Sequence, residues 1–262
     1  MSAPSHETTA LEKDRRQTLA GHLVELRKRL LWSLVALLVA TGVSFLFVED
    51  IYGFLVKPLA QAMGPGDSQR LIYTGLTEAF FTYLKVSFFA GIFLSFPVMA
   101  MQIWKFIAPG LYKTEKHAFL PFLIATPVLF FAGAALVYYW LMPVAWQFFL
   151  SFQSDGGATA LPIQLEARVG EYLDLVMLLI FAFGLCFQLP VLLVLLGRAG
   201  IVTSAQLVKG RRYAIVIAFV VAAFLTPPDV LSQFALAIPI ILLYEVSILV
   251  IRYLQTPSAR AE

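Results

Sequence analysis

Between Arg29 and Glu49 the chain carries nineteen consecutive uncharged residues, Leu30–Val48, and from Ala118 to Ser154 it carries no charge at all. These runs constrain the fold more than any other feature. About 20 apolar residues in helical form cross a bilayer. In hydrocarbon the backbone must satisfy its own hydrogen bonds, which selects the helix for a segment of this kind. Only 13% of the 262 residues are charged and 60% are hydrophobic, whereas soluble domains have about 25% charged residues. The sequence reads as an all-α polytopic membrane protein. Six candidate spans follow: Leu30–Val48, Ala79–Trp104, Ala118–Met142, Leu175–Gly197, Tyr213–Thr226 and Val230–Ile251.

Orientation comes from the basic residues, which collect in short cytoplasmic loops. Fifteen of the nineteen Lys and Arg lie in the N-terminal segment 1–29, the loops 105–117 and 198–212, and the tail 252–262. Lys57, Arg70 and Arg168 lie in the outer loops 49–78 and 143–170, and Lys85 lies inside a span. Both termini are therefore expected in the cytoplasm, in a single transmembrane domain without internal repeat. The outer loops hold amphipathic pieces such as Ile51–Met63, expected to form short helices capping the outer face. The first apolar run ends in Phe-Val-Glu-Asp without a small-residue cleavage site, so the N-terminal segment is not read as a cleaved signal. Arg15-Arg16 is followed by further cations before any apolar region, unlike a twin-arginine signal.

Several function classes drop out. One cysteine, Cys186, gives no disulfide framework, and three scattered histidines argue against a metal site. The cations form no continuous stripe for nucleic acid. The fifth span is unusual: fourteen residues separate Arg212 from Pro227. That is about 21 Å of helix against a hydrocarbon core of about 30 Å. The Thr226-Pro227-Pro228-Asp229 turn sends the sixth span straight back beside it.

Polar groups inside or beside the spans each admit two readings. Lys85 either snorkels to the outer surface or serves function. Glu245 is either protonated or paired with a neighbouring helix. Gln188, two residues before Pro190, either satisfies backbone groups or faces a polar concavity. Thr226, Asp229 and Gln233 either bond across their hairpin or dock another membrane helix through a polar residue. On the cytoplasmic face Glu25 and Glu115 stand among cations. They make surface ion pairs of small worth, or they present two carboxylates to two arginines, which a carboxylate grips in a bidentate fork.

The segments HLVELRKRLL (22–31), KPL (57–59), FIAPGLYKTEK (106–116), QLPV (188–191) and FLTPPDVLSQ (224–233) occur in this order along most of the chain. Together they resemble the TatC family, the large membrane component of the twin-arginine protein translocase. The resemblance implies six helices with both termini inside, arranged as a concave, glove-like wall with short fifth and sixth helices, in the bacterial cytoplasmic (inner) membrane. It implies that signal peptides of folded precursors dock their two arginines on Glu25 and Glu115. Arg27, Pro58, Phe106 and Tyr112 match positions linked with signal recognition or assembly. Thr226 and Gln233, near Asp229, match the polar site for single-span partners of the TatB and TatA type. It further implies membrane lipid around the chain, a homo-oligomer within the receptor complex, no cofactor, and export driven by the proton-motive force. Gln188 departs from the family, many of whose members have a glutamate there, so a role requiring ionisation is in doubt at that position.

The chain is thus expected to be a receptor and scaffold and not an enzyme, and no phosphate loop GxxxxGK[ST] is present. The alternative is a secondary transporter of a small solute, which predicts an inverted repeat around a midplane site. An intramembrane protease needs a Ser–His pair or facing aspartates inside the spans, and the histidines lie outside them.

Overall fold

The computed structural model describes residues 5–64, 70–111, 120–154, 156–157, 161–226 and 230–255. Among them are nine α-helices: α1 Ser5–Leu46, α2 Val48–Met63, α3 Glu78–Leu111, α4 Leu120–Leu136, α5 Met142–Leu150, α6 Val169–Cys186, α7 Leu189–Arg198, α8 Ser204–Leu225 and α9 Val230–Gln255. A π-helical turn, Val137–Leu141, joins α4 to α5. Beyond helices the described residues show two isolated bridges, Ile72 with Arg168 and Ser154 with Ile163.

Five segments are long and apolar enough to cross a membrane: Gly21–Leu46, Glu78–Phe106, Pro121–Leu150, Val169–Arg198 and Ser232–Leu254. Each contains or overlaps one of the expected spans, but the limits differ. Helix carries on through α5 into the segment read as outer loop 143–170, because Pro143 falls in the first turn of α5, where its missing N–H costs little. The short fifth span is part of a 22-residue helix, α8. Its first turns carry Lys209, Arg211 and Arg212, so only its second half is apolar. The expectation of a short sixth helix is corrected: α9 runs for 26 residues. Its one acid, Glu245, is a good helix former and has a cationic partner on α8.

The fourth apolar segment is broken between α6 and α7. Pro190 has no N–H to offer the Cys186 carbonyl, so α6 stops there. Phe187 N–H closes on Phe183 O and Gln188 N–H on Leu185 O, both at 2.9 Å, and Leu192 N–H resumes the ladder on Gln188 O at 3.0 Å.

Helix α6 is the central strut. Leu173, Val176 and Phe183 are fully buried along it, with Tyr172, Leu179 and Ile180 nearly so. Two glycines set its distance from α4. A Cβ on Gly184 would fall 2.6 Å from the Phe130 ring, and one on Gly133 would fall 2.7 Å from Phe183 O. Phe130, itself buried, also stacks on Phe96 of α3 at 3.7 Å between centroids. Small residues that let helices approach are the usual means of packing where no hydrophobic difference drives association. Helix α1 uses the same device against α3, where a Cβ on Gly91 would lie 2.8 Å from Thr41 Cα.

The helix α2 is fastened by its own proline. Pro58 cannot donate to the Phe54 carbonyl four residues back. Tyr138 Oη of the π-helical turn donates to that carbonyl at 2.8 Å and stacks on the Phe54 ring at 4.2 Å. Tyr172 Oη of α6 donates to Leu55 O at 2.9 Å.

Substituting Gly184→Val is expected to lower the thermal unfolding temperature of the solubilised protein, since overpacking costs about 1–3 kcal/mol. Gly42→Val, where a Cβ meets nothing within 4 Å, is expected to leave it unchanged. Equal behaviour of the two in a fluorescence melt contradicts the close-packed α4–α6 seam.

Candidate functional site

One polar cluster lies where α1 passes α3 at the end that carries residues 22–29. Helix α1 puts Glu25 and Arg29 one turn apart on the same face. Arg29 Nη2 donates to Glu25 Oε1 at 3.1 Å, and its Nη1 donates to Gln102 Oε1 of α3 at 3.2 Å. His22 meets the Phe106 ring edge-on at 6.4 Å. Thus HLVELRKRLL and the start of FIAPGLYKTEK, far apart in sequence, share one surface. The Arg29 and Glu25 side chains are 28% and 33% exposed, and exposed pairs at this spacing contribute about 0.3–0.5 kcal/mol. The contact is too weak to be what holds α1 on α3. Arg27 is exposed, Phe106 is half-buried, and Tyr112 and Glu115 lie outside the described residues.

Pro58 is not part of this cluster. It is buried on α2, beyond the opposite end of the α1 span, and its contribution is the freed Phe54 carbonyl that Tyr138 takes.

The intramembrane polar residues have partners on other helices. Lys85 Nζ of α3 donates to both oxygens of Asp174 on α6, at 2.9 and 2.7 Å. The expected snorkel is therefore an ion pair between spans, with both side chains about half exposed. Asp174 was missed because the fourth span was begun at Leu175; an acid at the start of one span with a lysine at similar depth in another was the available signal. Glu245 of α9 accepts from Arg211 Nη2 of α8 at 2.7 Å, so the paired reading holds. Gln188 Nε2 donates to Thr126 O of α4 at 2.9 Å. The Thr126 hydroxyl accepts from Trp104 Nε1 and donates to Phe122 O, both at 2.8 Å. Gln188 Oε1 is buried and meets no donor among the described residues.

A second missed residue is Glu78, the first of α3. Its carboxylate accepts from Thr74, Gly75 and Gly170 backbone amides at 2.9, 3.2 and 3.4 Å and from Arg168 Nη2 at 3.5 Å. With the Ile72–Val169 and Ala167–Ile72 backbone bonds, it ties residues 70–78 to residues 167–170.

At the α8–α9 turn Thr226 is buried, and its hydroxyl donates back to Ala222 O at 2.9 Å. Gln233 Nε2 reaches across the hairpin to Phe219 O at 3.4 Å, beside the Phe219–Phe234 ring contact. Asp229 lies outside the described residues. Only the Gln233 bond crosses the hairpin; the Thr226 hydroxyl is spent within α8.

Apolar helices, charges neutralised between them and polar clusters at their ends define a polytopic helical membrane protein. The profile of Sec-independent protein translocase protein (TatC) matches residues 21–239. The chain is 50% identical to Sec-independent protein translocase protein TatC of Magnetococcus marinus over 252 residues, 96% of this chain and 90% of that one. It is 48% identical to the Rickettsia prowazekii protein of that name, covering 90% of this chain and 93% of that one. A crystal structure of the twin-arginine translocase receptor TatC superposes with a TM-score of 0.75 at 37% identity, over 88% of this chain and 98% of that chain. The chain belongs to the TatC family, and is a membrane-embedded component of the Sec-independent protein translocase.

For the Lys85–Asp174 pair, removal of one partner is expected to destabilise more than removal of both, because it strands a charge at the helix interface. Lys85→Met should lower the melting temperature further than Lys85→Met with Asp174→Leu. A double-mutant cycle should give a coupling of about 1 kcal/mol, since the pair is half exposed. Zero coupling contradicts the pairing.

Proposed function

We propose that this chain is the twin-arginine signal receptor of a bacterial inner-membrane translocase. It crosses six times with both termini in the cytoplasm, α8 being the additional crossing, and its helices form a concave, glove-like wall. Fifteen of nineteen basic residues on one side support that orientation. Glu25 and Glu115 take the two arginines of the signal peptide, and the apolar region of the signal lies along the concave intramembrane face. Arg27 and Phe106 support recognition at this edge, Tyr112 shares that role by its match to the family motif, and Pro58 supports assembly through its hold on α2. Partners of the TatB and TatA type dock at Thr226, Asp229 and Gln233. Copies of the chain associate in the receptor complex, and the proton-motive force drives export of folded cargo.

The observation that carries this reading is the Glu25 carboxylate, one-third exposed at the α1–α3 edge and already in contact with a guanidinium. The chain that carries it is similar to a solved twin-arginine translocase receptor. A carboxylate at this edge discriminates arginine from lysine by geometry and not by charge alone.

Charge reversal at Glu115→Lys, with Glu25 intact, is expected to weaken crosslinking of a twin-arginine precursor without weakening that of partner helices. Unimpaired precursor binding by the Glu25→Ala, Glu115→Ala double variant would sink the site assignment.

A further inference from the structure

We infer that Arg29 is a built-in placeholder for the arginine of the signal peptide: it occupies Glu25 in the empty receptor and must leave before that carboxylate can take its ligand. The inference rests on the signal-binding reading above and adds a regulatory step to it.

Four observations point this way. First, the group on Glu25 has the chemistry of the expected ligand, a guanidinium donating through Nη2 to a single carboxylate oxygen at 3.1 Å. Secondly, the grip is incomplete. The contact is monodentate where a guanidinium and a carboxylate can make two parallel bonds, and Arg29 Nε is buried with no acceptor among the described residues. An incoming arginine free to choose its approach has the better geometry available to it. Thirdly, Arg29 has somewhere to stay. Its Nη1 is already on Gln102 Oε1 of α3 at 3.2 Å, so release of Glu25 does not strand the cation. Fourthly, both side chains are about one-third exposed, so an aqueous ligand reaches the pair.

The consequence is quantitative. A receptor whose competent state is a fraction of the total binds with its intrinsic dissociation constant divided by that fraction. Any ligand that needs Glu25 carries this penalty equally, whether it presents arginine or lysine. The placeholder therefore lowers affinity by a common factor and leaves the arginine-to-lysine preference to the geometry of the carboxylates.

The test uses the full-length protein in nanodiscs and a fluorescent synthetic signal peptide bearing Arg-Arg, with a Lys-Lys version beside it. Arg29→Gln is expected to tighten binding of both peptides by the same factor, roughly two- to five-fold. Arg29→Lys, which keeps the charge but not the fork, should fall between it and the unaltered chain. Lys28→Gln removes the same charge from an exposed neighbour and so reports the general field; it should change affinity less than Arg29→Gln. Weaker binding by Arg29→Gln overturns the inference, since Arg29 then supports the site. An effect no larger than that of Lys28→Gln overturns it too, because only net charge is at work. If the unaltered chain binds neither peptide, or if Glu25→Ala with Glu115→Ala binds as well as it does, the signal-binding reading fails and the placeholder with it. Specific binding by the unaltered chain that is unmoved by Arg29→Gln overturns the placeholder alone.

Discussion

Hydrocarbon solvates neither a freed carbonyl nor a charge, and that constraint organises this protein. Beyond the spans, on α2, the same accounting holds for burial in protein: Pro58 frees the Phe54 carbonyl, and Tyr138 from the π-helical turn arrives to take it. Near the break at Pro190, Gln188 crosses to a carbonyl of α4 beside Pro127. Lys85 within α3 is neutralised by Asp174 on α6, and Glu245 within α9 by Arg211 on α8. These four imperfections each become a bond to another helix. The helices are thereby held in register by polar contacts in a medium where apolar surface gives little reason to associate. Glycines at 91, 133 and 184 supply the close approach that such contacts need.

The polar groups at the helix ends behave differently. Thr226 spends its hydroxyl on its own helix, and Gln233 makes one long bond across the hairpin. Glu25 makes one single-oxygen contact with a neighbour on its own helix. The Glu25 contact is weak and partly exposed, and a ligand can replace it at small cost. Pairs between helices hold the frame together, and the Glu25 contact within one helix can be exchanged without parting two helices.

Much of this was legible in the sequence, because hydrocarbon imposes a length and a charge-free composition on every crossing segment. Ala79–Trp104 and Val230–Ile251 fall inside α3 and α9, while Leu30–Val48 overruns the end of α1 at Leu46 and reaches the first residue of α2. Helix ends were less legible. Helix α8 begins at Ser204, deep in the basic loop, because Thr203 and Gln206 form a capping box and Lys and Arg are good helix formers. The Thr-x-x-Gln spacing was there to be read. Composition alone also hid the continuation through the π-helical turn into α5.

Pairings were the least legible. Nothing in periodicity joins Lys85 to Asp174, 89 residues away, or Arg29 to Gln102, 73 residues away. Glu25 stood out as an acid among cations, but its partner one turn along the helix was open to reading from spacing alone and was passed over. Pro58 entered through family resemblance, and the structure supplies a physical reason for a proline at that position. Tyr112, Glu115 and Asp229 fall outside the described residues, so their roles rest on the resemblance.

The central claim is that the α1–α3 edge receives the signal while the α8–α9 turn receives partner helices. Site-specific photo-crosslinking tests it most directly, with a photoreactive residue placed in turn at positions 25, 115 and 233 in native membranes. Crosslinks from 25 and 115 to a twin-arginine precursor, lost when its arginines become lysines, and from 233 to a single-span partner are the predicted result. Precursor crosslinks from 25 and 115 that are indifferent to the arginines contradict the account.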